Sequence, residues 1–220
     1  MKIVTSLATN RIERQQYCLG TWRKYGYAIE AVQLPHHIDE LRGQFEGITF
    51  IEDDRSGRDF GLIDTVRIKA LTDRDDGDGL LLINSDIAMK CERSKFQREW
   101  VSVPGDVFRV GIRWDQDRRL DKTLNKYGID VFRFSSSQCE QVQDVGYSLG
   151  TDVWDYWIIW AMLTEGHTIE ASHDPGILHA MHERFRPEAG REVGYELFRE
   201  LYGINKKQLV SLIGVLTGRR

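Results

Sequence analysis

The sequence is poor in the features that mark secreted, disulfide-stabilised and membrane-spanning proteins. Its 220 residues include three cysteines, Cys18, Cys91 and Cys139, which are widely spaced and form no CxxC pair. A disulfide framework or a thiolate zinc site is therefore not expected, and a reducing compartment is favoured. The start of the chain has no apolar stretch typical of a signal peptide. The longest apolar run, Tyr156–Leu163, is far shorter than the ~20 residues of a membrane-spanning helix. These absences predict a cytoplasmic protein without a transmembrane segment.

The motifs of several common enzyme classes are also missing. The sequence contains no GxxxxGK[ST], no GxGxxG and no GxSxG, so a P-loop, a dinucleotide site and a hydrolase elbow are not supported. HExxH is absent as well, and the acidic segment 73–79 lacks the glycine and closing glutamate of an EF-hand loop. No repeat, low-complexity tract or Gly/Pro-rich linker divides the chain.

What is present is the composition of a globular protein. Hydrophobic residues make up 41% of the chain and charged residues 29%. The formal net charge of −4 argues against a protein that coats nucleic acid, although it does not exclude a local basic groove. A chain of this length is sufficient for one sizeable core.

Strand and helix patterns alternate over the first ninety residues. The predicted strands are Lys2–Thr9, Tyr27–Val32, Ile48–Ile51 and Leu80–Ile83, and the predicted helices are Arg11–Tyr25 and Phe60–Asp73. Shorter strands follow at Val107–Trp114 and Val131–Phe134, then an aromatic helix at Gly150–Thr164 and a largely helical segment at Glu188–Arg220. This order predicts one Rossmann-like α/β nucleotide-binding domain with a central mixed, mainly parallel sheet flanked by helices. We expect residues 1–187 to form this domain and residues 188–220 to form a helical extension packed on it.

Polar clusters follow three of the predicted strands: Thr5–Asn10, Glu52-Asp53-Asp54 and Asn84-Ser85-Asp86. Ligands of parallel α/β sheets bind beyond the carboxyl ends of the strands, so the three clusters are expected at one edge. Mg²⁺ and Mn²⁺ typically take one or two carboxylates together with substrate phosphates. Asp86 therefore suits metal-diphosphate binding, while each cluster taken alone is also compatible with a solvated loop or a turn cap.

Several segments together resemble the GT-A glycosyltransferases, small enzymes that use nucleotide-activated sugars. "LLLINSDI", preceded by "DRDDGDG" and "LIDTVRIKAL", is similar to their DxD region, and "KIVTSLATNR" to their first strand and nucleotide-contacting turn. "GTDVWDYWIIWA" resembles their acceptor-side segment, and "GILHAMHERF" resembles a late histidine-containing segment of several small members. The resemblance runs from Lys2 to Phe185 and implies a GT-A-like domain. Asn84 occupies the position of the first motif aspartate, which leaves Asp86 as the motif's carboxylate.

The resemblance implies a donor site that binds a nucleoside-diphosphate sugar, with a UDP-sugar as the leading candidate. Its implied nucleotide-sugar contacts are Thr5, Ser6, Asn10, Asp53, Arg67, Lys69 and Asn84. A Mn²⁺ or Mg²⁺ ion is implied at Asp86, with His179 or His182 completing the metal shell. These histidines are also compatible with packing or surface positions, and Arg67 and Lys69 with a solvated helix face.

The acceptor side is expected around the aromatic helix. Asp152 is the candidate general base that takes the proton of the acceptor hydroxyl, and Trp154 and Asp155 are candidate acceptor contacts. Asp152 is equally compatible with capping a helix whose aromatic residues form the core. Arg113, with Arg118, Arg119, Arg184 and Arg186, is a candidate contact for a polyanionic acceptor, against an ordinary mixed-charge surface.

The resulting hypothesis is a metal-dependent, hexosyltransferase-like enzyme, of the kind found in bacteria or phages, that moves a sugar onto a hydroxyl acceptor. The acceptor is a saccharide or a modified nucleobase of DNA. The alternatives are a metal-dependent nucleotidyltransferase or phosphohydrolase, and a non-catalytic nucleotide-binding module. The segment Leu209–Arg220 fits a homodimer helix, a membrane-surface contact or packing on its own domain.

Overall fold

The computed structural model describes residues 1–53, 79–116, 122–142, 153–180 and 188–216. Its strands are β1 (Lys2–Thr5), β2 (Ile29–Gln33), β3 (Thr49–Glu52), β4 (Leu80–Ile83), β5 (Ile87–Met89), β6 (Val107–Gln116), β7 (Lys122–Phe134), β8 (Thr168–Ser172) and β9 (Ile177–Ala180). Its helices are α1 (Ile12–Arg23), α2 (Pro35–Leu41), α3 (Arg93–Phe96), α4 (Ser136–Gln141), α5 (Trp154–Thr164), α6 (Glu188–Tyr202) and α7 (Lys206–Leu216). A π-helical turn, Gln97–Val101, follows α3.

All the described strands belong to one sheet, in the order β3-β2-β1-β4-β7-β6-β9-β5, with β8 also paired to β6. The first four strands run parallel, and β8 and β9 run parallel to β6. Three pairs are antiparallel: β4 with β7, β7 with β6, and β9 with β5. The predicted α/β class, with a mixed and mainly parallel sheet flanked by helices, is confirmed.

The central strands are buried on both faces, which explains why β4 is a continuous apolar run. Successive side chains of a strand point to opposite faces. Leu81 and Ile83 therefore join a core cluster with Trp22 of α1, while Leu80 and Leu82 join the cluster formed with α5. The two clusters fix the sheet between its helical layers.

Some local elements differ from the sequence-based expectations. Residues 35–41, for which no helix was predicted, form α2, because a proline at the first helical position already has a helical φ. Ser135 caps α4 through a capping box with Gln138, in a segment for which no helix was predicted. His179, in a segment for which no strand was predicted, lies in β9, which pairs with β5 and β6.

The carboxyl-terminal helices pack on the α5 side of the sheet. Phe198 of α6 and Leu209 and Ile213 of α7 are buried in the same core cluster as Trp157. The indole Nε1 of Trp157 also donates a hydrogen bond of 3.1 Å to the hydroxyl of Tyr202. The domain boundary at residues 187 and 188 stays a prediction. In the described ranges, no helix combines the length and the apolar character needed to cross a bilayer.

Gly79, which precedes β4, cannot carry a side chain without strain. Its φ is 75°, and an added Cβ would lie 2.1 Å from the carbonyl oxygen of Phe134. Gly47 offers a matched control, because its φ is 67° but nothing lies within 4 Å of an added Cβ. We expect Gly79→Ala to lower the free energy of unfolding by about 3 kcal/mol or more, and Gly47→Ala by about 1 kcal/mol. Urea denaturation measures both values, and equal losses would contradict the steric explanation.

Candidate functional site

Strand register brings polar side chains from four strands to the edge where β1 to β4 end. Asn84 follows β4, and its backbone N–H donates to the carbonyl of Asp130 in β7. In the neighbouring strand β6, Gly111 pairs with Val131, the residue after Asp130. Arg113 and Asp115 follow further along β6. Asp115 pairs with His179 of β9. Five polar residues distant in sequence therefore meet beside the end of β4.

Arg113 is the centre of this group and is 9% exposed. Its Nη1 donates to Oδ2 of Asp130 at 2.9 Å, and its Nε lies 3.0 Å from Oδ1 of Asp115. The pairing of β6 and β7 is irregular around this position, which turns the side chain toward both carboxylates. A Cβ on Gly128 would lie 2.4 Å from Nε of Arg113, so the glycine leaves the space that the guanidinium occupies.

His179 connects Asp115 to Asp86. Its Nδ1 lies 2.9 Å from Oδ1 of Asp115, and its Nε2 lies 3.2 Å from Oδ2 of Asp86. Burial by itself disfavours the charged imidazolium, but the hydrogen bonds to Asp115 and Asp86 outweigh burial and raise the pKa of His179. The ring is therefore held by carboxylates on both sides.

Asp115 stays ionised although it is largely buried. Burial favours the neutral acid, but His179, Arg113 and Asn125 together lower the pKa of this carboxyl group. Nδ2 of Asn125 donates to its Oδ2 at 2.7 Å. Asp115 is thus a fixed negative charge that orients the ring of His179, as carboxylates commonly do for metal-binding histidines.

Asp86 lies in a tight turn that joins β4 to β5. The N–H of Ile87 donates to the carbonyl of Asn84 at 3.1 Å, and the amide of Asn84 also donates to a carboxylate oxygen of Asp130. The side chain of Asp86 is 31% exposed, whereas that of His179 is 6% exposed. The carboxylate of Asp86 is therefore held by protein on one side and accessible from the other.

Asp155, in the first turn of α5, is close enough to this group to interact with its charges. Burial raises its pKa to about 7, and the negative charge of Asp130 adds to the shift. Backbone N–H groups at the start of α5 and the charge of Arg113 oppose the shift only partly. Val153, two residues before Asp155, has φ 62°, a left-handed conformation that is costly for a β-branched residue. The backbone is thus strained where it presents Asp155.

The predicted nucleotide-binding loop is held by two buried amides. Gln15 of α1 donates to the carbonyls of Ala8 and Asn10 at 2.8 and 2.7 Å and accepts from the N–H of Ala8 at 2.8 Å. Gln33, at the end of β2, donates to the carbonyl of Leu7 at 2.8 Å. The loop therefore has a defined backbone path at the same edge of the sheet as Asp86.

The predicted donor-site residues differ in exposure. Thr5 and Asp53 are fully buried, Ser6 is partly exposed and Asn10 is exposed. Of the predicted contacts in this loop, Ser6 and Asn10 are therefore open to a ligand, and Asn84, which follows β4, is also partly exposed. The contact predictions for Arg67 and Lys69 lie outside the described residues.

On the acceptor side, Trp154 is 7% exposed and its ring packs 5.2 Å from that of Phe132, so little of it is available to a sugar. Asp155 is partly exposed. The base prediction for Asp152 and the metal prediction for His182 lie outside the described residues. The roles of all these residues stay predictions.

Asp115 and Asp130 were not among the residues predicted from the sequence. Arg113 was predicted either as a contact for a polyanionic acceptor or as part of a mixed-charge surface, and both surface positions are wrong because the residue is buried between two carboxylates. One signal was available: charged residues at 113 and 115 share one face of a strand whose neighbours are apolar. An aspartate inside the apolar run 129–134 was a second signal.

The arrangement offers a divalent cation two ligands. A carboxylate oxygen of Asp86 and the Nε2 atom of His179 converge within 3.2 Å. Within the described ranges, no cluster of three or more histidine, cysteine, aspartate or glutamate side chains is arranged to hold a metal ion. One open cavity borders the first turn of α1, and another lies between α1 and residues 43–46.

Comparisons with known proteins do not identify a family. No family model matches the sequence, and no curated protein matches it. Two crystal structures of HddC from Yersinia pseudotuberculosis are similar over 80% of this chain at 13% identity. The match covers 91% of the HddC chain complexed with GMP-PN, with a TM-score of 0.48, and 95% of the other chain, with a TM-score of 0.44. Similarity this low carries no argument about activity.

The raised pKa of His179 predicts a pH-dependent contribution to stability. A group whose pKa rises on folding stabilises the protein fully below its unfolded pKa, near 6.5, and loses that effect as pH rises through the folded pKa. We expect His179→Gln to lower the free energy of unfolding by about 1–3 kcal/mol at pH 5.5 and by less at pH 9.

Urea denaturation in the presence of EDTA measures this difference without interference from metal ions. His36→Gln, at an exposed position on α2, is the control and should change little at either pH. A loss for His179→Gln that is as large at pH 9 as at pH 5.5 would contradict the proposed ion pairs.

Proposed function

We propose that this protein is a metal-assisted glycosyltransferase of the GT-A type that uses a nucleotide-activated sugar. The observation that carries the proposal is the position of Asp86, whose accessible carboxylate faces Nε2 of His179 beside the end of β4. Both residues were predicted from the sequence as metal ligands, although they are 93 residues apart. Their convergence at the carboxyl edge of the sheet supports a common role in ligand binding.

The donor atoms fit a cation that also binds the ligand's phosphates. Asp86 supplies a hard oxygen ligand, and His179 supplies its Nε2 nitrogen. The other ring nitrogen of His179, Nδ1, contacts Asp115, which orients the ring. Two protein ligands are few for a structural metal site but usual where substrate phosphates complete the shell. A bound Mn²⁺ or Mg²⁺ ion would offset the charge that develops on the departing diphosphate.

The charge balance of the group also supports a cation. The carboxyl groups of Asp86, Asp115 and Asp130 lie against the basic side chains of Arg113 and His179, and Asp155 adds a further carboxyl group nearby. The excess of negative charge disfavours a bare diphosphate and favours a divalent cation. In this proposal, the loop with Ser6 and Asn10 contacts the nucleoside, and Asn84 hydrogen-bonds the ribose.

Asp155 is the group best suited to remove the proton of an acceptor hydroxyl. Its pKa of about 7 places it near the optimum for a general base at neutral pH. The carboxylate would accept the proton as the hydroxyl oxygen attacks the anomeric carbon and the diphosphate departs. The negative charge of Asp130 raises the pKa of Asp155 and the positive charge of Arg113 lowers it, so that both protonation states would be populated near neutral pH.

A two-metal nucleotidyltransferase or phosphohydrolase is less well supported. Such enzymes need clustered carboxylates that are free to bridge two cations. Here Asp115 and Asp130 both accept bonds from Arg113 or from asparagine amides. A non-catalytic nucleotide-binding module is the remaining alternative, and turnover separates it from the proposed enzyme.

Ligand-dependent stabilisation tests the donor site. We expect one nucleoside diphosphate, UDP first, to raise the melting temperature by about 5 °C or more at 100 times its Kd in the presence of Mn²⁺. The effect should be smaller with EDTA and should be lost in Asp86→Asn. Asp39→Asn, an exposed aspartate of α2, is the control and should behave as wild type.

Hydrolysis or transfer of the corresponding nucleotide-sugar, followed by release of the nucleoside diphosphate, tests for turnover. Stabilisation without any turnover would favour the binding module. No response to any nucleotide, with or without Mn²⁺, would overturn the proposal.

The role of Asp155 predicts opposite effects on activity and stability. We expect Asp155→Asn to lower kcat by about 100-fold or more, and wild-type activity to rise as pH increases through about 7. Because the folded state raises the pKa of this carboxyl group, its ionisation costs stability at high pH. Asp155→Asn should therefore be more stable than wild type at pH 8, by a margin that shrinks toward pH 5.

Kinetic pH profiles and urea denaturation of the same samples measure both effects. Asp106→Asn, at an exposed position before β6, is the control for charge removal. Full activity of Asp155→Asn would exclude Asp155 as the general base and leave Asp152 as the candidate.

A further inference from the structure

The guanidinium of Arg14 has one nitrogen donor without a hydrogen-bond partner among the described residues. The residue lies in the first turn of α1 and is partly exposed. Its Nη1 atom is shielded from solvent, and in the described part of the chain no hydrogen-bond partner reaches it. A shielded donor of a charged group without a partner is costly, which points to a ligand that completes it.

The packing of α1 places Arg14 beside the candidate site. The indole of Trp22 donates to the carbonyl of Ile87 at 2.8 Å, and Tyr25 donates to the carbonyl of Met89 at 3.2 Å, so α1 and β5 run in the same direction. Cys18 packs against Ala88, near the start of β5. Arg14 lies one turn earlier on the same face, about 6 Å further along the helix axis, and so beyond the start of β5 where Asp86 lies.

The electrostatics agree with this position. The pKa of the Cys18 thiol rises to about 12, mainly because the thiol is buried. The charge of Asp86 adds to the rise and the charge of Arg14 opposes it. Both charged groups therefore lie within electrostatic range of the same thiol.

Arg14 also lies next to the predicted nucleotide-binding loop. Its neighbour in sequence, Gln15, holds the backbone of Ala8 and Asn10. An open cavity of about 360 Å³ lies against the first turn of α1 and is lined in part by Arg14. Arg14 thus stands between a loop suited to a nucleoside and a carboxylate suited to a cation, and a ligand can reach it.

We propose that Arg14 binds the phosphates of the nucleotide ligand, as a positively charged counterpart to the cation at Asp86. This inference rests on the proposed function and extends it to a residue that the sequence motifs did not indicate. Guanidinium groups bind phosphate oxygens through two parallel N–H donors, which a lysine cannot reproduce. The binding depends on the phosphates of the ligand and not on its base.

Calorimetric titrations with UDP, UMP and uridine in the presence of Mn²⁺ test the role of Arg14. If another nucleoside diphosphate stabilises the wild type best, its own series replaces this one. We expect Arg14→Gln to weaken diphosphate binding by about 10- to 100-fold, while uridine binds as to wild type. The diphosphate affinity of Arg14→Lys should lie between those of wild type and Arg14→Gln. Arg23→Gln, on the same helix but bonded to the carbonyl of Glu46, is the matched control.

The melting temperature of the ligand-free variants separates this role from a structural one. A guanidinium that merely balances Asp86 within the fold predicts a lower melting temperature for Arg14→Gln and equal losses for all ligands. Phosphate binding predicts an unchanged melting temperature and a loss confined to phosphorylated ligands. Wild-type diphosphate affinity in Arg14→Gln would overturn the inference alone, whereas a wild type that binds no nucleotide would overturn the proposed function.

Discussion

The arrangement of the candidate site depends on the burial of Arg113 between Asp115 and Asp130. A buried ion pair gains little over apolar packing, but loss of one partner leaves an uncompensated charge that typically costs about 3–5 kcal/mol. Arg113 fixes Asp115, which orients His179 toward Asp86. The same guanidinium fixes Asp130, which binds Asn84. The positions of Asn84 and His179 at this edge therefore depend on one buried cation.

The strands of the parallel half of the sheet could be predicted because burial on both faces leaves a direct record in the sequence. Leu80–Ile83 is apolar throughout, and the predicted strand has the same bounds as β4. Asp86 stood out for the same reason, since a carboxylate directly after such a run needs an explanation. Local pattern and tertiary environment coincide at these positions.

The polar group itself could not be predicted because its members meet only through strand register. Arg113 and Asp130 are 17 residues apart, and Asp115 and His179 are 64 apart. The irregular pairing of β6 with β7 changes which residues face each other, and no local sequence pattern specifies such an offset. His179 was identified by its residue type, although its segment was not predicted to be a strand. Residue chemistry was thus more informative than local conformation for the site.

The distribution of charge has a consequence for how the proposed ligands bind. A cation at Asp86 and His179 meets two protein ligands, which is too few for tight binding without phosphate oxygens. A diphosphate alone meets an excess of carboxylates, and Arg14 offsets that repulsion only in part. Each ligand therefore supplies what the other lacks, so the affinity for one must rise when the other is bound, by the same factor in both directions. In the proposed enzyme, this coupling makes the intact cation-diphosphate complex the preferred ligand, and departure of either component weakens the binding of the other.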